Sequence, residues 1–464
     1  MLISLNNYVL FKKRCIFEFQ NLNYNKTLIS FLGLFVCGGL LAQPRIDYTE
    51  YDLNNGMHVI LHKDNSAPVV TTAVMYHVGA KDENPERTGF AHFFEHLLFE
   101  GTENIPRGEW FTVVSSNGGS NNANTTSDRT YYYEVFPSNS LELGLWMESE
   151  RLMHPIINQI GVDTQNEVVK EEKRSRIDNA PYGGIQYATA TNKYLFDKHP
   201  YKMSVIGEME HLDAATLEEF QAFNKKFYIP NNAVLVVAGD IDIEETKRMI
   251  ASYFGPIPRG KEIERKTVID APITETRNAT EYDANIEIPA LVLCYRTPSM
   301  KDRDAYVLQM ISTYLSDGKS SKLYKNLVDD NKKALQVFAF NRGMEDYSVY
   351  NVIALPLGEV SLDELRTDID AEILKVQSEL ISERDYQKLQ NKFENGFVNS
   401  NSSVEGIANS LARYHMLYGD ISLINNEIDI YRSITREEIK TVAKKYLNPN
   451  QRLILNYLPE SSKE

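Results

Sequence analysis

Apolar and polar positions along this chain follow two different periods. Continuous apolar runs at residues 69–78, 234–237 and 288–295 are typical of buried strands. Between them lie long segments in which apolar residues recur every three to four positions, the period of a helix packed on one face. Strands alternating with helices and hairpin-like returns predict an α+β fold, with helices packed on one face of a largely antiparallel sheet.

The same pattern occurs twice. Thr216 begins the segment Thr-Leu-Glu-Glu-Phe, and Thr435, 219 residues later, begins Thr-Arg-Glu-Glu-Ile. In both copies a lysine pair, a Pro-Asn turn and an apolar run follow at the same offset. Each copy predicts a helix with an N-cap threonine, a turn and a buried strand. We therefore predict two domains of similar fold.

The domain boundaries follow from a change in composition. A polar, charged stretch flanked by prolines begins at Pro256. We predict an N-terminal domain over residues 43–256, a linker over 257–280, and a C-terminal domain over 281–464.

The N-terminus has the pattern of an export signal. Four basic residues precede an apolar run over residues 28–41, and Ala42 is a small residue suited to cleavage. The run is shorter than the roughly 20 residues that a membrane-spanning helix needs. We predict a signal peptide over residues 1–42, cut near Ala42, no stable membrane span, and a periplasmic or secreted protein.

Composition narrows the class of protein. Hydrophobic residues make up 42% and charged residues 24% of the chain, the profile of a globular protein. The formal net charge of −15 argues against nucleic acid or anionic membranes as partners. Cys294 is the one cysteine beyond the predicted signal peptide, and its apolar neighbours predict a buried thiol without a disulfide.

A helical segment at residues 89–99 carries the candidate chemistry. His92 and His96 are four residues apart, so both imidazoles emerge from one helix face and can reach one tetrahedral metal ion. Glu95 projects near that face and is placed to take a proton from the water that the metal activates. The apolar residues around them should bury the rest of the helix.

A catalytic zinc site needs a third protein ligand and an open position. The candidate lies in a second helical segment, residues 165–174, where Val168 and Val169 form an apolar pair that is predicted to bury one face of the helix. Glu172 follows this pair at helical spacing and is predicted to face inward, whereas Glu171 is predicted to face solvent. Two histidines and a glutamate suit Zn²⁺ best and also tolerate manganese or cobalt.

These motifs resemble the pitrilysin/insulinase family of zinc peptidases, and especially its bacterial members and the mitochondrial processing peptidase. The family's H-x-x-E-H helix is matched by His92, Glu95 and His96, and its distal glutamate by Glu172. Matching segments surround the ligands and continue downstream: residues 79–83, 88–89, 99–102, 118–123, 130–133, 200–201, 206–207 and 228–233. The resemblance runs from about residue 46 to the C-terminus and is dense in the first half.

The resemblance implies two like domains facing each other across an enclosed chamber, and a zinc-dependent endopeptidase acting on peptides or unfolded polypeptides. It also implies a substrate-binding edge strand at Asn122 and Ala123. Two other functions stay open: a non-catalytic core or scaffold subunit, and a peptidase dedicated to one precursor.

One departure from the family concerns the C-terminal domain. Active members carry an arginine and a tyrosine, seven residues apart, that assist the substrate carbonyl, and in register this chain has Val328 and Leu335. Neither side chain can donate a hydrogen bond. Arg413 and Tyr414 lie far downstream and are predicted on a helix surface. We therefore predict a heterodimer with a metal-free homologous subunit, with a homodimer as the alternative.

Overall fold

The computed structural model describes residues 45–463, so the predicted signal peptide lies outside the described residues. The strands of the first half form a six-stranded sheet, and those of the second half a five-stranded sheet. The strands are β1 Thr49–Asp52, β2 His58–Lys63, β3 Val69–Tyr76, β4 Ser120–Thr125, β5 Thr130–Pro137, β6 Ala233–Gly239, β7 Arg277–Asp283, β8 Ala290–Thr297, β9 Ala334–Arg342, β10 Ser348–Pro356 and β11 Leu453–Pro459.

Helices connect these strands and cover the sheets. They are α1 Phe90–Leu97, α2 Trp110–Ser116, α3 Leu141–Met153, α4 Gln159–Lys173, α5 Gly183–Gln186, α6 Thr189–Leu195, α7 Met209–Ala214, α8 Leu217–Phe227, α9 Ile243–Phe254, α10 Arg303–Ser316, α11 Leu362–Ser378, α12 Glu383–Ser400, α13 Val404–Arg413, α14 Leu423–Ser433 and α15 Arg436–Tyr446. Among the described helices, none is long and apolar enough to cross a membrane.

The two sheets repeat one topology. The first has the order β1-β2-β6-β3-β5-β4 and the second the order β7-β11-β8-β10-β9. In each sheet one pair is parallel, β2 with β6 and β7 with β11, and every other described pair is antiparallel. The predicted α+β class, with two similar and largely antiparallel sheets, is confirmed.

The repeated motif that revealed the duplication lies in equivalent helices. In α8 the Thr216 hydroxyl accepts from the Glu219 amide while the Glu219 carboxylate accepts from the Thr216 amide. In α15 Thr435 and Glu438 form the same capping box. These reciprocal bonds satisfy amides that would otherwise lack partners at the helix start.

Helices also cross between the halves, which the sequence did not predict. Helix α13 of the second half packs on the outer face of the first sheet, against β3 and β6. Helix α6 of the first half packs on the outer face of the second sheet, against β8 and β11. The predicted helix layer thus covers one face of each sheet, and the other half supplies a helix for the second face. Cys294, fully buried and free as predicted, lies under this crossing helix.

Candidate metal centre

Helix α1 forms a rigid base for the site. Gly89 precedes it with φ of 93°, and a side chain there would meet the Ile206 carbonyl oxygen at 2.7 Å. The Glu83 carboxylate accepts hydrogen bonds from the amides of Gly89, at 2.7 Å, and Ala91, at 2.8 Å. The apolar side chains of α1 are buried as predicted: Phe90, Phe93, Phe94 and Leu97, with Leu98 directly after the helix.

His92 and His96 project from one face of α1 toward Glu172 of helix α4. Their ring centroids lie 4.9 Å apart. Glu172 Oε2 is 3.4 Å from His92 Nε2 and 3.0 Å from His96 Nε2. Residues separated by about 80 positions in the sequence thus bring three ligand atoms within 4.8 Å of one another.

The chemistry of this group fits a metal ion. Glu172 Oε2 is buried and forms no hydrogen bond of acceptable geometry, although two imidazole nitrogens lie beside it. Burial raises the pKa of Glu172, but the adjacent imidazoles outweigh that effect and hold its pKa well below the ordinary value. Two imidazoles and one carboxylate are the donor set of a catalytic zinc site with one open position.

Helix α4 orients Glu172 and separates it from Glu171. Glu172 Oε1 pairs with Arg176 at 2.8 Å, which leaves Oε2 directed at the histidines. The Glu171 side chain is 70% exposed, as expected. The prediction of a buried apolar pair was wrong for Val168, which is 44% exposed, because Val169 alone packs into the core.

Glu95 lies beside the three ligand atoms without joining them. The Thr125 hydroxyl donates a hydrogen bond of 2.6 Å to Glu95 Oε2. Thr125 ends strand β4, so this bond fixes the free carboxylate relative to the edge of the first sheet.

A cavity of about 850 Å³ connects the ligand group to that edge strand. Strand β4 lies at the end of the sheet order and pairs with β5 alone among the described strands. Asn122 and Ala123, predicted to bind substrate, line this cavity together with His92, Glu95, His96 and Glu172.

The second half also lines this cavity, at residues that the sequence did not indicate. Its lining residues include Met300, Arg342, Met344, Arg413 and Leu417. The prediction that Arg413 and Tyr414 lie on a helix surface was wrong: Arg413 lines the cavity, and Tyr414 is 2% exposed. They reach this position because α13 crosses to the first sheet, and no local sequence pattern predicts that crossing.

Among the described residues of the second half, no equivalent ligand group is found. The positions 219 residues after His92 and His96 are Ile311 and Leu315, both fully buried in α10. Val328 packs against the core of the second half, and Leu335 is 40% exposed on edge strand β9. Neither residue lines the cavity at the ligand group.

Comparisons with known proteins find matches in both halves of the chain. The family model described as insulinase (peptidase family M16) matches residues 58–193, and the model described as peptidase M16 inactive domain matches residues 214–393. The zinc protease PqqE of Helicobacter pylori is 27% identical over 405 residues, covering 86% of this chain and 90% of the relative. The probable mitochondrial-processing peptidase subunit beta of Arabidopsis thaliana is 22% identical, covering 88% and 77%.

Solved structures share the fold. A protease from Helicobacter pylori matches with a TM-score of 0.84 and 25% identity, over 89% of this chain and all of that one. A peptidase M16 inactive domain from Pseudomonas fluorescens matches with a TM-score of 0.80 at 15% identity, over 90% of this chain and 99% of that one. The two-sheet architecture is therefore common to proteins that differ widely in sequence.

Proposed function

This chain belongs to the insulinase (M16) family of peptidases, and from that membership we propose that it is a zinc-dependent endopeptidase hydrolysing peptides or unfolded polypeptides. One observation carries the proposal: the ligand atoms of His92, His96 and Glu172 converge on the wall of a cavity that also exposes Glu95. Relatives named as zinc proteases support both the chemistry and the metal.

In this proposal His92, His96 and Glu172 hold Zn²⁺. The metal, when bound, acts as a Lewis acid that lowers the pKa of water and polarises a carbonyl group. Arg176 keeps the Glu172 carboxylate directed at the histidines through its 2.8 Å ion pair. The buried face of α1 keeps the two imidazoles in place.

Glu95 moves the protons of the reaction. Its carboxylate accepts a proton from the attacking water and later gives that proton to the amine that leaves. The hydrogen bond from Thr125 holds one carboxylate oxygen, so the other is free for this transfer.

The substrate lies along strand β4. A peptide in extended conformation can add to the unpaired edge of β4 near Asn122 and Ala123, because main-chain hydrogen bonds bind many sequences alike. The walls from both halves form a chamber, which favours peptides and unfolded segments over folded proteins.

The deciding experiment measures cleavage of an internally quenched peptide library together with the metal content. A scaffold subunit would contain little zinc and cleave nothing. A dedicated processing enzyme would contain zinc and cleave very few sequences. We expect about one zinc per chain, broad cleavage, and loss of activity on chelation that zinc restores. A zinc-loaded protein that cleaves none of the peptides, alone or together with a metal-free homologous chain, would refute the proposal.

We further propose that the working enzyme is a heterodimer with a metal-free homologous subunit, with a homodimer as the alternative. The proposal is motivated by Val328 and Leu335, which offer no donor and lie away from the ligand group. A donor that stabilises the oxyanion contributes about 2.7–4 kcal/mol to catalysis, so a partner could supply what this chain lacks.

The predicted signal peptide over residues 1–42 supports a periplasmic or secreted location. Fractionation of cells that produce the full chain, with sequencing of the mature N-terminus, tests this location. Cytoplasmic recovery with an intact N-terminus would refute it.

A further inference from the structure

The cavity wall near the ligand group carries an excess of arginine. Arg129 follows the β4–β5 turn, Arg342 ends strand β9, and Arg413 ends helix α13. All three line the cavity that contains His92 and Glu95. They come from both halves of the chain. Three arginines at one cavity contrast with the net charge of −15 of the whole chain.

Arg342 is the least compensated of the three. Burial lowers the pKa of its guanidinium. Among the described residues, no carboxylate forms an ion pair with Arg342. A partly buried guanidinium that faces a cavity without a carboxylate partner is a candidate for binding a ligand.

Arg413 and Arg129 form no ion pair among the described residues, although Glu427 lies near Arg413 and both Glu95 and Asp128 lie near Arg129. The Arg413 guanidinium carbon lies 5.1 Å from the centre of the Tyr414 ring and 5.6 Å from that of the Tyr418 ring. Arg129 Nη1 donates a 2.7 Å hydrogen bond to the Asn124 carbonyl. Aromatic rings and carbonyls hold a guanidinium in place without neutralising it.

The carboxylates on the same wall are engaged elsewhere. Asp128 pairs with Lys81 at 3.0 Å. Glu172 pairs with Arg176 and belongs to the ligand group, and Glu95 accepts from Thr125. None of these carboxylates forms an ion pair with the three arginines, so each guanidinium group is able to bind an anion that enters the cavity.

We propose that Arg342 and Arg413 form a carboxylate-binding subsite, so that this enzyme prefers peptides with a carboxylate near the cleaved bond. The inference rests on the proposed peptidase function and names its substrate class. Arginine suits this role because its planar fork donates two parallel hydrogen bonds to one carboxylate. The carboxylate can be an acidic side chain or the C-terminus of the peptide, since both offer the same two oxygens.

The test compares four quenched peptides of one sequence, two differing as Glu and Gln beside the cleaved bond and two differing as C-terminal acid and amide. We expect the zinc-loaded enzyme to show kcat/KM about tenfold higher for at least one acid over its neutral partner, because a charge-assisted hydrogen bond contributes about one factor of ten or more. The pair that shows the preference identifies the source of the carboxylate. Equal values in both pairs would overturn the proposal.

Substitution of the arginines tests whether they cause the preference for the acidic peptide. Arg342→Gln should raise KM for the preferred acid about tenfold and leave the neutral peptide unchanged. Arg413→Gln should act in the same direction. Arg248→Gln, on the exposed face of α9, is the matched control and should change neither. An equal loss on acidic and neutral peptides in Arg342→Gln and Arg413→Gln would show that these arginines only support the fold.

Two measurements distinguish a failure of this proposal from a failure of the peptidase function and from misfolding of a variant. In the Glu95→Gln protein loaded with zinc, calorimetric titration should show the same preference for the acid without turnover. Carboxylate-selective binding beside an inactive wild-type enzyme would refute the peptidase function alone. If a variant does not fold, the preference of the wild-type enzyme should still weaken as salt screens the interaction. A preference that is unaffected by salt would count against the arginines.

Discussion

Adjacent side chains on helix α4 have opposite environments. Glu172 directs one oxygen at His92 and His96, whereas the Glu171 side chain is 70% exposed and pairs with Arg174 at 3.3 Å. We expect Glu172→Gln to lower zinc occupancy and activity together, because an amide is a weaker and uncharged ligand. Glu171→Gln is the matched control and should change little. Metal analysis after dialysis against a weak chelator measures the difference, and a reversed result would refute the assignment of the third ligand.

Glu95 allows a test of the base without loss of the metal. Glu95→Gln retains the shape of the side chain and its contact with Thr125 but cannot accept a proton at neutral pH. We expect full zinc content, an unchanged melting temperature, and kcat lower by about 10² or more. The control is Glu103→Gln, because the Glu103 side chain is 70% exposed and does not line the cavity. Near-normal turnover in Glu95→Gln would remove Glu95 from the mechanism.

Most of the ligand group could be predicted at this scale because helical spacing is a local property. His92, Glu95 and His96 lie within one turn and a half of a single helix, so sequence distance fixes their relative placement. The prediction of Glu172 depended on which face of a second helix is buried. The exposed side chain of Val168 shows that this face was predicted only partly correctly. Arg342 and Arg413 have no such local signal, since only the tertiary fold brings them to the cavity.

At the scale of the element, helix α1 begins without a side chain of its own as a cap. Glu83 supplies the missing acceptors from the preceding segment, through bonds of 2.7 Å and 2.8 Å to the amides of Gly89 and Ala91. Glu83→Ala should leave two buried amides without partners and lower the unfolding free energy by about 2 kcal/mol or more. Glu83→Gln keeps one acceptor oxygen and should cost less.

Urea unfolding of the Glu83 variants measures both effects, and zinc affinity should fall in the same order because α1 carries two ligands. Equal stability of Glu83→Ala and the wild-type protein would show that water replaces the carboxylate. The helix itself could be predicted from its apolar period, but its cap could not, because Glu83 stands outside the usual capping positions.

At the scale of the whole molecule, a histidine pair joins the two halves. His58 of β2 and His415, directly after α13, stack with ring centroids 3.7 Å apart and planes inclined by 11°. Asp52 lies 2.8 Å from His58 Nδ1 and Glu50 3.2 Å from His58 Nε2. Burial and the neighbouring His58 lower the pKa of His415 to about 4, against the partial effect of Asp52.

This lowered pKa predicts loss of stability in mild acid. Above pH 6.5 the His415 imidazole is neutral in both states, whereas between 6.5 and about 4 only the unfolded chain binds the proton. The unfolding free energy should therefore fall as pH falls through that window. His415→Asn removes this proton uptake and should show a shallower fall between pH 7 and 5 in denaturant titrations. Identical slopes for the two proteins would contradict the prediction.

Assembly is the second property at this scale. If a partner supplies the missing donors, the isolated chain should be less active by about two to three powers of ten than the complex, from the loss of one or more donors. Co-expression with a homologous chain that lacks H-x-x-E-H, followed by size-exclusion chromatography and peptidase assay, measures the gain. Full activity of the isolated chain would exclude a required partner.

The helices that cross between the halves constrain how the chain acquires its structure. The outer face of the first sheet is covered by α13, whose residues are synthesised more than 160 positions after β6. During synthesis the first half therefore emerges before α13 can cover the apolar residues Ile60, Ala73, Met75, Val234 and Val236. Contacts between such distant residues form slowly, and exposed sheet surface favours aggregation in the meantime. The outer face of each sheet is therefore buried only when a helix from the other half has packed on it.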